Sequence, residues 1–154
     1  MKDIFHTGIT VSDLDNAVQF YRDVLGCELI TGPTEVFEGD DLSVALGVSG
    51  ARIRLAIMKV GNNFLELHQY LNPASQVDRP LPPNTLGFMH IAFRVENIEQ
   101  MVKKLEAEGI CFLSKVNIVE EGPLAGWKWI YFKDPDGITL EMVEYNPISE
   151  RLEF

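Results

Sequence analysis

The chain repeats itself. "HTGITVSDLDNAVQFYRDVLGCEL" starts at His6, and "HIAFRVENIEQMVKKLEAEGICFL" starts at His90. At an offset of 84 residues His6 matches His90, Val11 matches Val95, Leu14 matches Ile98 and Val18 matches Val102. Tyr21 meets the apolar Leu105, and a slip of one residue then brings Gly26 onto Gly109. The far ends agree as well: "FLELHQY" against "TLEMVEY" pairs Glu66 with Glu141 and His68 with Val143. A duplicated unit constrains the architecture first, because both copies must fold by one plan.

Each copy shows the same order of patterns. An apolar strand, 3–11 or 87–95, leads into a polar cap region. In the first copy Ser12 and Asp15 have the S-x-x-D spacing of a capping box; in the second Glu96 and Asn97 precede Glu99 and Gln100. A helix follows, with Leu14, Val18, Tyr21, Val24 and Leu25 on one stripe and Ile98, Met101, Val102 and Leu105 on its counterpart. Gly26 and Gly109 supply the stop. Three strands are then expected in each copy, at 27–31, 51–60 and 63–70, and at 110–114, 127–133 and 138–144. "VGNN" and "KDPDG" turn the last hairpins.

Residues 71–85 hold Pro73, Pro80, Pro82 and Pro83 and read as a linker. The expectation is an α+β protein of two tandem βαβββ modules, about 3–72 and 86–146, forming one domain over 1–154.

Apolar residues make up 46% of the 154, enough for a packed interior. A formal charge of −10 argues against nucleic acid, which is bound through Lys and Arg. No apolar run reaches membrane-spanning length, and "MKDIFHTGIT" lacks a signal-peptide layout, so a cytoplasmic protein without a membrane partner is expected. Cys27 and Cys111 have no CxxC spacing and read as buried, reduced thiols.

Polar residues at matching places carry the chemistry. Strand alternation puts Phe64, Glu66, His68 and Tyr70 on one face and Leu65 and Leu67 on the other. His6, Glu66, His90 and Glu141 stand at equivalent positions in the two copies, and pairing of the copies would bring them to one cleft. Two imidazoles and two carboxylates form a nitrogen and oxygen set suited to a divalent transition metal (Zn, Ni, Co, Mn or Fe) with room for substrate. His68 competes with Glu66, because it shares the same face. A step of two residues shifts a strand side chain by about 6.5 Å, which argues against both binding one ion. The match of Glu66 to Glu141 favours Glu66.

Strand parity adds pocket candidates. Gly8 and Thr10 share the face of His6, Arg94 that of His90, and Trp129 lies with Trp127 and Tyr131. Packing of this aromatic face against the module's helix is the simpler expectation; turned to the cleft, it would make a flat apolar wall. Arg52, Arg54 and Lys128 are expected at solvent-exposed strand positions.

"HTGITVSDLDNAVQFYRDVLG", "GNNFLEL", "FMHIAFRV" and "FKDPDGITLEMVE" resemble the signature segments of the vicinal oxygen chelate superfamily (glyoxalase I, methylmalonyl-CoA epimerase, extradiol dioxygenases, fosfomycin-resistance enzymes, bleomycin-binding proteins). The resemblance runs from about His6 to Tyr145. It implies a U-shaped mixed sheet around a metal cleft, a small-molecule substrate and a homodimer. It also implies His6, Glu66, His90 and Glu141 as metal ligands, with Glu141 or Glu66 as the catalytic proton carrier; His68, Thr10, Arg94 and Trp129 are expected near the substrate from strand parity alone.

A shell of two His and two Glu resembles glyoxalase I and the epimerases; dioxygenases and fosfomycin enzymes use three protein ligands. Thr7, Gly8 and Ile9 follow His6, where bacterial glyoxalases often carry an Arg for glutathione. The resemblance therefore implies a divalent-metal-dependent isomerase or lyase that stabilises an enolate. A ring-cleaving extradiol-type dioxygenase and a non-catalytic drug-binding protein are the alternatives.

Overall fold

The computed structural model describes residues 2–75 and 81–145. The chain divides into two compact units, Met1–Arg79 and Pro80–Phe154, each with its own mixed sheet. Of the proline-rich segment, 76–80 lie outside the described residues, as does 146 at the end of the second expected module.

In the first unit strand β1 (His6–Thr10) leads into helix α1 (Leu14–Gln19), which continues as a π-helical turn, Phe20–Val24. Strands β2 (Glu28–Thr31), β3 (Phe37–Glu38), β4 (Arg52–Val60) and β5 (Asn63–Asn72) follow, with a short helix α2 (Asp40–Leu46) between β3 and β4. The sheet order is β1-β5-β4-β2, β1 running parallel to β5, with β3 pairing on β4. In the second unit strand β6 (Ile91–Arg94) leads into helix α3 (Ile98–Ala107), then strands β7 (Asn117–Ile118), β8 (Lys128–Lys133) and β9 (Thr139–Glu144). The order is β6-β9-β8-β7, with β6 parallel to β9. The α+β plan of strand, helix and antiparallel strands thus recurs, as two sheets with one in each unit.

The helix caps refine the sequence reading. Asp13 and not Ser12 caps α1, its Oδ1 accepting from the Asn16 N–H at 3.0 Å. Asp15 is drawn away to Arg54, whose Nη1 lies 2.9 Å from its Oδ2. Asn97 caps α3 in the equivalent way, accepting from the Gln100 N–H at 2.9 Å. After α3 the Ile110 N–H reaches back to the Leu105 carbonyl, with Gly109 at φ +86. After the π turn the Cys27 N–H reaches Tyr21, one residue farther back, with Gly26 at φ +77. The π turn therefore absorbs the one-residue slip between the copies.

Three expectations need correction. Between the strands expected at 27–31 and 51–60, where the sequence reading places no element, the chain forms β3 and α2. Two acidic residues in the first turn of α2 and the left-handed Gly47 at its end are the local causes. The strand expected at 110–114 shrinks to a bridge between Phe112 and Phe132. Ser114 Oγ donates to the Lys115 carbonyl and accepts from Asn117 Nδ2, bonds that compete with a ladder. Finally, β5 runs through Asn72, two residues into the expected linker, where Asn72 pairs with Arg52 and its amide donates to the Gly50 carbonyl at 2.7 Å.

In each unit the helix side of the sheet is the apolar core. Leu14, Val18 and Tyr21 are buried, as are Ala56, Met58, Leu65 and Leu67 from β4 and β5. Ile98 and Leu105 are buried in the second unit, with Ile130, Phe132, Leu140 and Met142. The other face of each sheet is left for polar groups. Among the described residues no helix is long and apolar enough to cross a membrane.

Candidate metal centre

The polar face of the first unit is set by strand register. In the β1–β5 ladder His6 stands opposite Phe64, Gly8 opposite Glu66 and Thr10 opposite His68. On the other side of β5, Ile57 stands opposite Glu66 and Leu55 opposite His68. Directly opposed residues share a face, so His6, Gly8, Thr10, Glu66 and His68 lie together, away from the buried Leu65 and Leu67. A Cβ at Gly8 would meet nothing within 4 Å, so the space over the first strand beside Glu66 is open.

The side-chain tips meet at one atom. His6 Nε2 lies 3.2 Å and His68 Nε2 lies 2.9 Å from Glu66 Oε2. The spacing argument against His68 joining Glu66 holds for backbone positions and fails at the tips, because a Glu and a His are long enough to lean together. Glu66 is 20% exposed and His68 21%, whereas His6 is 42% exposed.

The second unit repeats the arrangement with one change. Ala92 stands opposite Glu141, as Gly8 does opposite Glu66, and Arg94 stands opposite Val143, where the first unit has Thr10 and His68. His90, just before β6, places Nε2 2.9 Å from Glu141 Oε2. Glu141 is 13% exposed, the most enclosed of the two carboxylates. In both units a small residue beside the Glu lets the His two positions earlier reach the carboxylate.

The aromatic face corrects a sequence expectation. On β8 Ile130 and Phe132 are the residues turned to the core, whereas Tyr131 stands opposite Glu141 and Trp129 opposite Val143. Tyr131 meets His90 edge-on at 5.3 Å between ring centroids, and Trp129 lies 5.1 Å from Tyr131. The aromatic residues thus line the His–Glu face and do not pack on the helix. Burial, and then the Glu141 carboxylate, push the Tyr131 phenol above its ordinary range.

Tyr145 is a residue that the sequence reading passed over, although parity with Glu141 and Val143 marks it. Arg94 Nη1 donates to its hydroxyl at 2.8 Å, with the guanidinium 5.5 Å from the ring centre.

The other candidate cations are engaged elsewhere. Arg52 pairs with Glu38 at 2.6 Å, Arg54 with Asp15, and Lys128 with Glu99 at 2.8 Å and Glu144 at 3.1 Å. The cysteines differ from expectation in one respect: Cys27 is buried, with its thiol pushed up to about 11 by burial, but Cys111 is exposed.

The donor chemistry fits a borderline divalent ion. Each unit offers an imidazole nitrogen and a carboxylate oxygen on one face, without a thiolate. As the side chains stand, the imidazoles are turned to the carboxylates. Among the described residues no three His, Cys, Asp or Glu side chains form a group arranged to hold an ion. A single His–Glu pair fills only half of the roughly four protein positions in a typical shell.

Comparison with known proteins agrees with this layout. A family model of the Glyoxalase/Bleomycin resistance protein/Dioxygenase superfamily matches residues 3–142. A 2-epi-5-epi-valiolone epimerase from Actinomyces is 34% identical over 144 residues, covering 91% of this chain and 78% of the relative. A lactoylglutathione lyase from Schizosaccharomyces pombe is 32% identical over 154 residues, covering 90% of this chain but 46% of the relative. Among solved structures, a glyoxalase family protein from Bacillus cereus superposes with a TM-score of 0.77 at 26% identity, covering 94% of this chain and 95% of that one. The chain belongs to the glyoxalase/bleomycin resistance protein/dioxygenase superfamily.

Proposed function

We propose that the protein is a divalent-metal-dependent isomerase or lyase that moves a proton at a carbon beside a carbonyl, with an epimerisation as the leading form. The observation that carries this reading is the repeated His–Glu pair, at 3.2 Å in one unit and 2.9 Å in the other, on equivalent strand registers. His6, Glu66, His90 and Glu141 would hold the ion, since two pairs supply the donors that one pair lacks. A bound divalent ion supplies positive charge to the substrate's oxygens and so favours the enolate left by loss of a proton.

The proton is carried by the chain's own carboxylates. A carboxylate held beside the acidic carbon is a suitable base. Glu141 or Glu66 would take the proton from the acidic carbon and return it, either to the opposite face of the same carbon or to its neighbour. The electron pair of the broken C–H bond passes to the carbonyl oxygen and comes back on return of the proton. His68 would hold Glu66 in place through its 2.9 Å contact. The names of the Actinomyces and Schizosaccharomyces relatives, an epimerase and a lyase, support the same class of chemistry. A cytoplasmic homodimer is the expected working form.

Two measurements test the reading. Purified protein should carry stoichiometric divalent metal that is lost from His6→Ala and Glu141→Ala. In deuterated water, the metal-loaded protein should exchange the acidic carbon-bound proton of at least one compound in a panel of 2-oxo acids, acyl-CoA thioesters and 2-epi-5-epi-valiolone. Absence of both metal and exchange would sink it.

A further inference from the structure

The polar face of the second unit carries a cation, Arg94, whose side-chain hydrogen-bond partner is the neutral Tyr145 hydroxyl. Arg94 stands opposite Val143, two residues beyond the Ala92–Glu141 pair and on the same face. Arg52, Arg54 and Lys128 each have a carboxylate partner, yet among the described residues no carboxylate pairs with Arg94. That is notable in a chain with 23 acidic and 13 basic residues. The side chain is exposed and lies against Tyr145. Its guanidinium rests 5.5 Å from the Tyr145 ring centre and donates one hydrogen bond to the Tyr145 hydroxyl at 2.8 Å. Tyr145 is backed in turn by Trp127, 5.6 Å away between centroids.

We propose that Arg94 is a specificity residue that binds an anionic group, of carboxylate type, on the substrate. A guanidinium has five N–H donors in a planar fork; one is used by Tyr145, and the rest suit a carboxylate two at a time. The ring contact fixes the fork before a ligand arrives, which lowers the ordering cost of binding.

The rows of Arg94 and Glu141 are neighbours on one face, roughly 6.5 Å apart at the backbone, and both side chains are long enough to reach one small ligand. Val143 and Trp129 occupy the row of Arg94 and give the intervening part an apolar floor. In the first unit the same row is Thr10, His68 and Leu55, with no Arg or Lys, so the guanidinium belongs to one half only. The inference rests on the proposed function in one respect, that Glu141 marks the reacting end.

Calorimetry on the Co(II)-loaded protein tests it with 2-oxoglutarate, whose 2-oxo acid end offers vicinal oxygens and whose far end is a carboxylate, against 2-oxopentanoate, which lacks that carboxylate. The parent should prefer 2-oxoglutarate by roughly tenfold or more, the range expected for charge-assisted hydrogen bonds. Arg94→Ala should bring the preference below about twofold, with the affinity for 2-oxopentanoate unchanged, and Arg94→Lys should keep part of it. A parent without the preference, or a preference that survives Arg94→Ala, overturns the assignment. Tighter binding of 2-oxo-4-phosphonobutyrate than of 2-oxoglutarate, also lost in Arg94→Ala, would identify the anion as phosphate-like. Equal affinities with and without Co(II) would count against the metal reading alone, because the preference at Arg94 is read from the difference between probes.

Discussion

His68 Nε2 lies 2.9 Å from Glu66 Oε2, the same oxygen that His6 Nε2 approaches to 3.2 Å. The second unit has Val143 at the place of His68, so Glu66 has a neighbour that Glu141 lacks. Groups that hold a ligating carboxylate commonly matter 10–100-fold for metal affinity, by about the same measure as other outer partners. His68→Ala is expected to weaken Co(II) binding by roughly 10–100-fold. His68→Gln, which retains a donor, should recover part of the loss. Calorimetric titration of the metal-free protein measures both, and unchanged affinity in His68→Ala would remove His68 from this role.

Glu66 and Leu67 are chain neighbours on opposite faces of β5, and their substitutions should fail in different ways. Leu67 is fully buried, so Leu67→Ala is expected to cost about 2–5 kcal/mol of stability, read from the denaturant midpoint. Glu66→Gln keeps the shape of a half-buried side chain and removes its charge. It should leave the midpoint nearly unchanged while lowering proton exchange by roughly a hundredfold or more. Glu141→Gln should behave likewise.

The two thiols should separate cleanly in labelling. Cys111 is exposed, whereas Cys27 is buried with its thiol pushed up to about 11. Iodoacetamide at pH 8 should modify Cys111 in the native protein and reach Cys27 only after unfolding. Mass spectrometry of peptides gives the answer, and equal rates at both sites would contradict the packing of Cys27.

Lys128 ties the start of α3 to the end of β9 through Glu99 and Glu144. The hydrogen bond from Lys128 holds the Glu99 carboxyl below its ordinary value, with Lys103 adding to the effect, and Glu99 and Glu144 hold the Lys128 ammonium above its own. A carboxyl lowered on folding stabilises above its ordinary value of 4.5 and loses that contribution as pH falls through the folded value. Lys128→Gln should therefore be less stable than the parent at pH 7. The difference should shrink as pH drops below about 4.5, and added salt should reduce it because the pair is exposed. Urea midpoints at pH 7 and pH 3 check the sign.

Much of this was legible in the sequence for one reason: the copies corroborate each other. Glu66 could be read as a functional residue because Glu141 stands at its counterpart, and Gly26 as a helix stop because Gly109 does. Where the copies diverge the signal weakens. The insertion that forms β3 and α2 has no counterpart in the second half, and its helix buries none of its residues, so no apolar stripe announces it. Trp127, Trp129 and Tyr131 were assigned by alternation to one face, but which face lies against the helix depends on Ile130 and Phe132 filling the core first. The meeting of His68 with Glu66 is a matter of side-chain length, which strand periodicity does not encode.

The π turn at Phe20–Val24 carries a lesson for anyone who rebuilds this chain from its own halves. Upstream of the turn the halves correspond at 84 residues; at Gly26 and Gly109 they correspond at 83. The extra residue is looped into one widened helical turn and goes no farther, so β2 enters without a change of partner face. A chimera that swaps helices between halves must move its splice points by one residue on one side of that turn. Joined at a constant offset instead, it would either lose the turn or turn Cys27 and the strand after it inside out.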